Sequence, residues 1–424
     1  MNWINTVKSY IVVLLERGVF LGSNFLNIVI LSRYLEADDF GVLAIINAII
    51  SISYVLVDSG LGGSLIYHES ERRDYNTIFT VNIIASVFIF TVIFLASPIV
   101  EGLYGYNNLW LLLSCAALVI IIRSLSLTSV VKLTKESRFL EQFKVGLISG
   151  LLGVLLTFYL VSSGFGIWAF VMQLVFTSII STALYIILSK DKLRLYFDLE
   201  TYKKHFNYGY KLTLSSLVAN GYVSIQPIAL GYFSSLANVG FFSQASKINN
   251  LHSSLTYSAI DKVSFPLLSR KKGKDFECAA NTILNYSMLF SVFIALVIYW
   301  YAEFIVRIIL GDGWALVADT LKLIAIAGPF LMLEAMNRVL LKSSGNASIL
   351  LKSEFFKRTV SILILLFSML TFDYRGFLFG IVLASIFCAG TSALIVHFSK
   401  ITDIRNQIVW FILLASLLIV VALL

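Results

Sequence analysis

Charge is scarce in this 424-residue sequence: 13% of residues are Asp, Glu, Lys or Arg, about half the share found in an ordinary soluble domain. Connections long enough to form a soluble domain are missing as well. Three cysteines, Cys115, Cys278 and Cys388, lie in separate segments without paired spacing, which excludes a disulfide framework and argues against a zinc site. The four histidines, His68, His205, His252 and His397, are scattered. They supply no acid/base cluster of the kind a membrane glycan polymerase or acyltransferase needs. There is no nucleotide-binding glycine loop, which argues against direct ATP use. Nothing is low-complexity, and the four prolines, Pro98, Pro227, Pro266 and Pro329, fall in or at the ends of apolar runs.

What fills the chain is apolar: 58% of residues are hydrophobic. Apolar runs recur over about 10–31, 40–63, 77–101, 109–131, 144–163, 167–189, 207–231, 241–265, 281–309, 320–341, 354–372, 376–398 and 406–424. Crossing a bilayer takes about 20 helical residues, so the sequence predicts an all-α integral membrane protein with twelve transmembrane helices and a thirteenth at the end. The first run lacks a small-residue cleavage site and is read as a retained helix. The net charge of +8 sits in short basic clusters between spans. That pattern fits positive-inside topology with a cytoplasmic amino terminus, and not a nucleic-acid partner.

The longest and most charged connection, SKDKLRLYFDLETYKKHFNYGYK (189–211), divides the first twelve runs into six and six. The expected organisation is an amino-terminal six-helix lobe over 1–190, a charged cytoplasmic linker over 191–206, a carboxy-terminal lobe over 207–399 and an extra helix over 400–424. Two such lobes around a central cavity would make a transporter, because transporters are commonly built from repeated halves with the substrate held between them.

Ionisable groups inside the runs are the candidate functional residues, because such groups persist in a membrane where they are paired or face a wet, protein-lined space. LLERGVF (14–20) places Glu16 and Arg17 inside the first run, and Asn24, seven residues on, shares the face of Arg17. These charges either face a cavity or snorkel to the cytoplasmic interface. Arg123 stands in the run 109–131 with no acid near it, so its partner is either a group on another helix, with Asp58 in the second run the obvious candidate, or a ligand. In SQASKINNLHSSLTYSAIDKVSF, Lys247, Ser254, Ser258 and Asp261 form one polar stripe. Glu334 and Arg338 are four residues apart, in the order that favours a same-face ion pair. The substrate-binding candidates are therefore Arg17, Asn24, Arg123, Lys247, Ser254 and Ser258. Glu16, Asp58, Asp261, Glu334 and Arg338 are candidates for ion coupling or for structural pairs. A set of cations at Arg17, Arg123 and Lys247 suits an anionic substrate such as a pyrophosphate, whose oxygens accept charge-assisted hydrogen bonds. No metal or cofactor is expected.

Several stretches carry a family resemblance: RYLEADDFGVLAII (33–46), DSGLGGSLI (58–66), GFGIWAFV (164–171), LGYFSSLANVGFFSQASKI (230–248), FPLLSR (265–270), LGDGWALVADTLKLIA (310–325) and KSSGNA (342–347). They resemble the polysaccharide biosynthesis flippases, the Wzx-like O-antigen translocases of the multidrug/oligosaccharidyl-lipid/polysaccharide exporter superfamily. The resemblance implies two six-helix lobes around a central cavity. It also implies transfer of an undecaprenyl-pyrophosphate-linked oligosaccharide, an O-antigen or capsule repeat unit, from the cytoplasmic to the periplasmic leaflet of a bacterial inner membrane. The partners it implies are that substrate, the bilayer and other glycan-assembly membrane proteins. A tightly packed two-lobed transporter is expected to work as a monomer. A drug or cation exporter of the same superfamily is the alternative, and a membrane polymerase or acyltransferase a more distant one.

Overall fold

A computed structural model describes the backbone of residues 3–190, 194–269, 271, 273–345, 347–399, 401–403 and 405–423, with side chains left out at some of these, chiefly 3–11, 251–263 and 417–423. The described residues form thirteen helices: α1 Trp3–Leu31, α2 Ala37–Asp58, α3 Leu61–Tyr67, α4 Arg72–Tyr104, α5 Leu109–Lys135, α6 Phe139–Ser162, α7 Trp168–Ser189, α8 Leu199–Phe233, α9 Leu236–Ser269, α10 Gly273–Leu310, α11 Ala315–Ser343, α12 Ala347–Phe398 and α13 Arg405–Leu423. Eight of them, α2, α4, α5, α6, α7, α10, α11 and α12, are long and apolar enough among the described residues to cross a membrane. Two compact units emerge, Met1–Tyr232 and Phe233–Leu424.

In the first unit, capping fixes where two helices begin. Glu36 and Asp39 form a reciprocal capping box at α2, and Glu71 and Asp74 repeat it at α4, so backbone donors that a helix start leaves open are satisfied. Asp39 also accepts a hydrogen bond from the Tyr106 hydroxyl at 2.6 Å, which ties the α4–α5 turn to the start of α2. The sequence reads 40–63 as one span, but the chain breaks at Ser59 (φ 47°) and Gly60 (φ 63°), and α3 follows as a separate short helix. Two successive left-handed residues end any α-helix. Gly60 is required there twice over, since a Cβ on it would overlap the carbonyl of Gly209 on α8. Gly60→Ala combines left-handed strain with overpacking, and the expected loss is about 2 to 4 kcal/mol. Chemical denaturation of the purified protein measures it, and a variant as stable as wild type would refute the close approach of α2, α3 and α8.

Helix α5 lies at the middle of this unit, packed on α2, α3, α4 and α7. Lipid tails give apolar helices no reason to prefer one another, so small side chains and interhelical hydrogen bonds do the work. Ser114 and Ser124 of α5 meet Ser97 and Ser86 of α4 at 3.1 and 2.9 Å. On the α7 side, Ser126 and Ser129 meet Thr182 and Ser189 at 3.3 and 3.1 Å.

In the second unit α11 is the buried centre, with α9, α10 and α12 packed on it. Helix α12 is two helices in one: Phe372 and Asp373 leave helical geometry, matching the gap read between runs 354–372 and 376–398. Helix α13 is integrated with the unit. Phe411 and Leu414 join the core formed by Met288, Phe330 and Leu333, while Gln407 exchanges hydrogen bonds with buried Asn337 at 3.0 Å in each direction.

Candidate functional site

Arg123 projects from α5 toward α7, where its Nε donates to the Ser178 hydroxyl at 3.2 Å. Around it, half-buried, stand Tyr54 of α2 and Tyr185 of α7. Tyr185 lies within electrostatic reach of Arg123, Tyr54 and Glu16, and Tyr54 within reach of Arg123 and Asp58. Glu16 of α1, Tyr54 of α2, Arg123 of α5 and Tyr185 of α7 therefore share one neighbourhood, which Asp58 borders through Tyr54. The expected Asp58–Arg123 ion pair is absent among the described residues. Asp58 Oδ1 instead accepts from the Gly62 backbone N–H at 3.3 Å, because the break at Ser59–Gly60 turns the start of α3 back onto it. Asp58 holds a corner, and Arg123 keeps a neutral hydroxyl as its hydrogen-bond partner. On α1, Arg17 and Asn24 are both exposed, as their shared face requires, and the Asn24 amide donates to Phe20 O of its own helix at 2.9 Å.

The second unit holds a different kind of cluster. Glu334, 2% exposed, accepts from Lys357 at 2.9 Å, Arg358 at 3.0 Å and Arg338 at 3.5 Å. Glu354 closes the network through Lys357 at 2.8 Å and Arg358 at 3.5 Å. The predicted Glu334–Arg338 pair is present, but it is the longest of the three. Lys357, near the start of α12, is buried to 2% exposure. The signal was in KSEFFKR, where Glu354, Lys357 and Arg358 recur at the i, i+3, i+4 spacing of one helical face. On α9, Lys247 is half-buried and Gln244, one turn before it, is fully buried. The side chains of Ser254, Ser258 and Asp261 lie outside the described residues.

A third cluster, unforeseen from the scattered histidines, docks the start of α8 onto the first unit. Buried His205 shares a hydrogen bond between Nδ1 and the Ser64 hydroxyl at 2.8 Å, and its Nε2 lies 3.4 Å from Asp74. That second contact has ion-pair distance without hydrogen-bond direction. Serine, histidine and aspartate in this order invite comparison with a hydrolytic triad, yet all three are buried and the ring makes no directed hydrogen bond to Asp74. Tyr208 stacks on Tyr67 with ring centroids 4.6 Å apart, and Lys135 Nζ donates to the carbonyls of Leu65 and His68 at 2.7 and 2.6 Å.

Burial holds the His205 pKa below the ordinary histidine range, against the pull of Asp74; Lys204 and His68 push in the same direction as burial. The undocked histidine therefore binds protons more readily than the docked one, so docking is complete above about pH 6.5 and weakens as pH falls below it. Protection of residues 199–211 against hydrogen exchange, taken relative to the intrinsic rate at each pH, should fall as pH drops below about 6.5, and His205→Gln should remove that loss. Exchange that follows intrinsic rates alone would refute the linkage.

Long apolar helices joined by short turns, with ionisable groups held between them, define a multi-pass helical membrane protein. The fold is similar to that of the lipid II flippase MurJ in its inward closed conformation, with a TM-score of 0.78 at 14% identity, over 98% of this chain and 92% of that one. The chain belongs to a family described as polysaccharide biosynthesis protein, whose model matches residues 30–319. Teichuronic acid biosynthesis protein TuaB of Bacillus subtilis (strain 168) is 24% identical over 70% of this chain. The chain spans 62% of the length of TuaB, less than two thirds of it. An uncharacterized membrane protein in the cps region of Klebsiella pneumoniae is 25% identical over 93% of this chain and 82% of its own length.

Proposed function

We propose that this protein is a flippase that moves an undecaprenyl-pyrophosphate-linked oligosaccharide, an O-antigen or capsule repeat unit, from the cytoplasmic to the periplasmic leaflet of a bacterial inner membrane. Its twelve or thirteen crossings, with the amino terminus cytoplasmic, form two six-helix halves that alternate access to a cavity. Membership in the polysaccharide biosynthesis family and the fold shared with a lipid II flippase support the class of substrate. The observation that carries the reading is Arg123. Among the described residues it is a membrane-embedded guanidinium hydrogen-bonded to a hydroxyl and to no carboxylate, whereas the cations around Glu334 are consumed by carboxylates. A guanidinium of this kind has donors and charge left for a diphosphate. Arg17 and Lys247 extend the same cationic character, with Asn24, Ser254 and Ser258 contacting sugar hydroxyls.

A cation exporter would need a carboxylate offered to its substrate, and Asp58 is occupied by backbone. Glu16, Asp261 and Glu334 carry coupling or structural pairing in this scheme, and the protein uses no cofactor and works as a monomer. Proteoliposomes loaded with a lipid-diphosphate-linked oligosaccharide test the proposal. The fraction open to an impermeant glycosidase should approach the whole pool once the protein is present, with the lipid's mass unchanged before digestion. A mass change would point to an enzyme, and an inaccessible inner pool would overturn the flippase reading.

A further inference from the structure

Helix α8 is longer than a membrane requires. Its 35 residues measure about 52 Å against a hydrocarbon core of about 30 Å, so roughly its first dozen residues lie beyond the acyl region. The stretch leading into it is held in place and does not hang free. The backbone N–H groups of Arg194 and Tyr196 donate to Asn76 and Thr80 of α4 at 3.1 and 2.9 Å.

The start of the helix has three distinct faces. At 100° per residue, Thr201, His205, Tyr208 and Gly209 share the side docked on α3 and α4. Next to it runs an aromatic stripe: Tyr202, Phe206 and Tyr210 follow at four-residue spacing, with Phe197 leading in. Ring centroids along the stripe are 6.0, 5.4 and 6.0 Å apart. Phe197, Phe206 and Tyr210 are exposed. The third face carries Lys203, Lys204 and Lys211, all exposed, together with Glu200. Asp198, the other acid here, is occupied by the Thr201 N–H at 3.0 Å and the Thr201 hydroxyl.

A water-facing helix has no use for a row of exposed aromatic rings. Tyr202 and Tyr210 suit the membrane–water boundary, Phe197 and Phe206 suit the apolar face of an interfacial helix, and lysines beside them attract anionic headgroups. We infer that residues 194–211 form a lipid-binding surface, with the aromatic stripe seated in the headgroup layer of the cytoplasmic leaflet and the lysines holding anionic phospholipid. The inference rests on the topology in the proposed function, which places this stretch on the cytoplasmic side. Its docked face fixes the helix against the first unit, so the surface is presented ready-formed.

The test uses the full chain in nanodiscs, with Cys115, Cys278 and Cys388 replaced by serine and an environment-sensitive fluorophore attached through Phe206→Cys. Brominated phosphatidylglycerol should quench the probe more strongly than brominated phosphatidylcholine. The preference should fall roughly fivefold for each lysine removed in Lys203→Gln, Lys204→Gln and Lys211→Gln. Absent quenching, or equal quenching by both lipids, would overturn the inference. Sidedness is read separately, by impermeant labelling of Asn207→Cys in vesicles of each orientation. Labelling from the cytoplasmic side without quenching would overturn the lipid surface while leaving the flippase reading intact.

Discussion

Glu334→Ala is expected to destabilise the protein by about 3 to 5 kcal/mol, the cost of leaving a buried charge without its counterion. The carboxylate accepts from three cations, and Lys357 is as buried as Glu334 itself. Without Glu334, Lys357 keeps only Glu354 at 2.8 Å, and Glu354 is already shared with Arg358 at 3.5 Å. Glu334→Gln preserves shape and tests charge alone, so it should fall nearly as far. Glu354→Ala should cost less, because Glu354 is 21% exposed and water can replace part of what it supplies. Denaturant unfolding of purified protein gives the ranking. A loss under about 1 kcal/mol for Glu334→Ala, the range of an exposed pair, would show that the cluster is hydrated and would reopen Glu334 as a coupling group.

Arg123→Ala is expected to slow oligosaccharide flipping in proteoliposomes roughly 10- to 100-fold. Charge-assisted hydrogen bonds to a diphosphate contribute about 1.5 to 3 kcal/mol, and each 1.4 kcal/mol is about tenfold. Arg123→Lys keeps the charge while losing the planar fork, and should fall between the two. Ser178→Ala removes only the hydroxyl at 3.2 Å and should leave most of the rate. Flipping at the wild-type rate by Arg123→Ala would remove this guanidinium from the substrate site.

The positions of the helices were legible because long apolar runs and short turns leave little choice. The gap before residue 376 reappears as the break at Phe372–Asp373. The break at Ser59–Gly60 left its mark in DSGLGGSLI as Asp58, Ser59 and three glycines, but the apolar residues on either side let the run be read as one span, and only the left-handed backbone separates α2 from α3. Azimuth was the main thing composition could not give. Asp58 and Arg123 lie in neighbouring spans and were expected to meet, but Asp58 turns onto Gly62 and Arg123 onto Ser178. His205 was unreadable in principle: its partners Ser64 and Asp74 are 141 and 131 positions away, and only tertiary packing unites them.

In the proposed function Arg17, Arg123 and Lys247 each face water within their own unit and serve an anionic lipid-linked sugar. Impermeant thiol labelling of Arg17→Cys, Arg123→Cys and Lys247→Cys, in a background with the three native cysteines replaced, tests it most directly. The prediction is that all three label from water and that added lipid-diphosphate-linked oligosaccharide protects them. Cysteines that stay inert with and without the substrate would contradict it, and would return these charges to pairing and snorkelling.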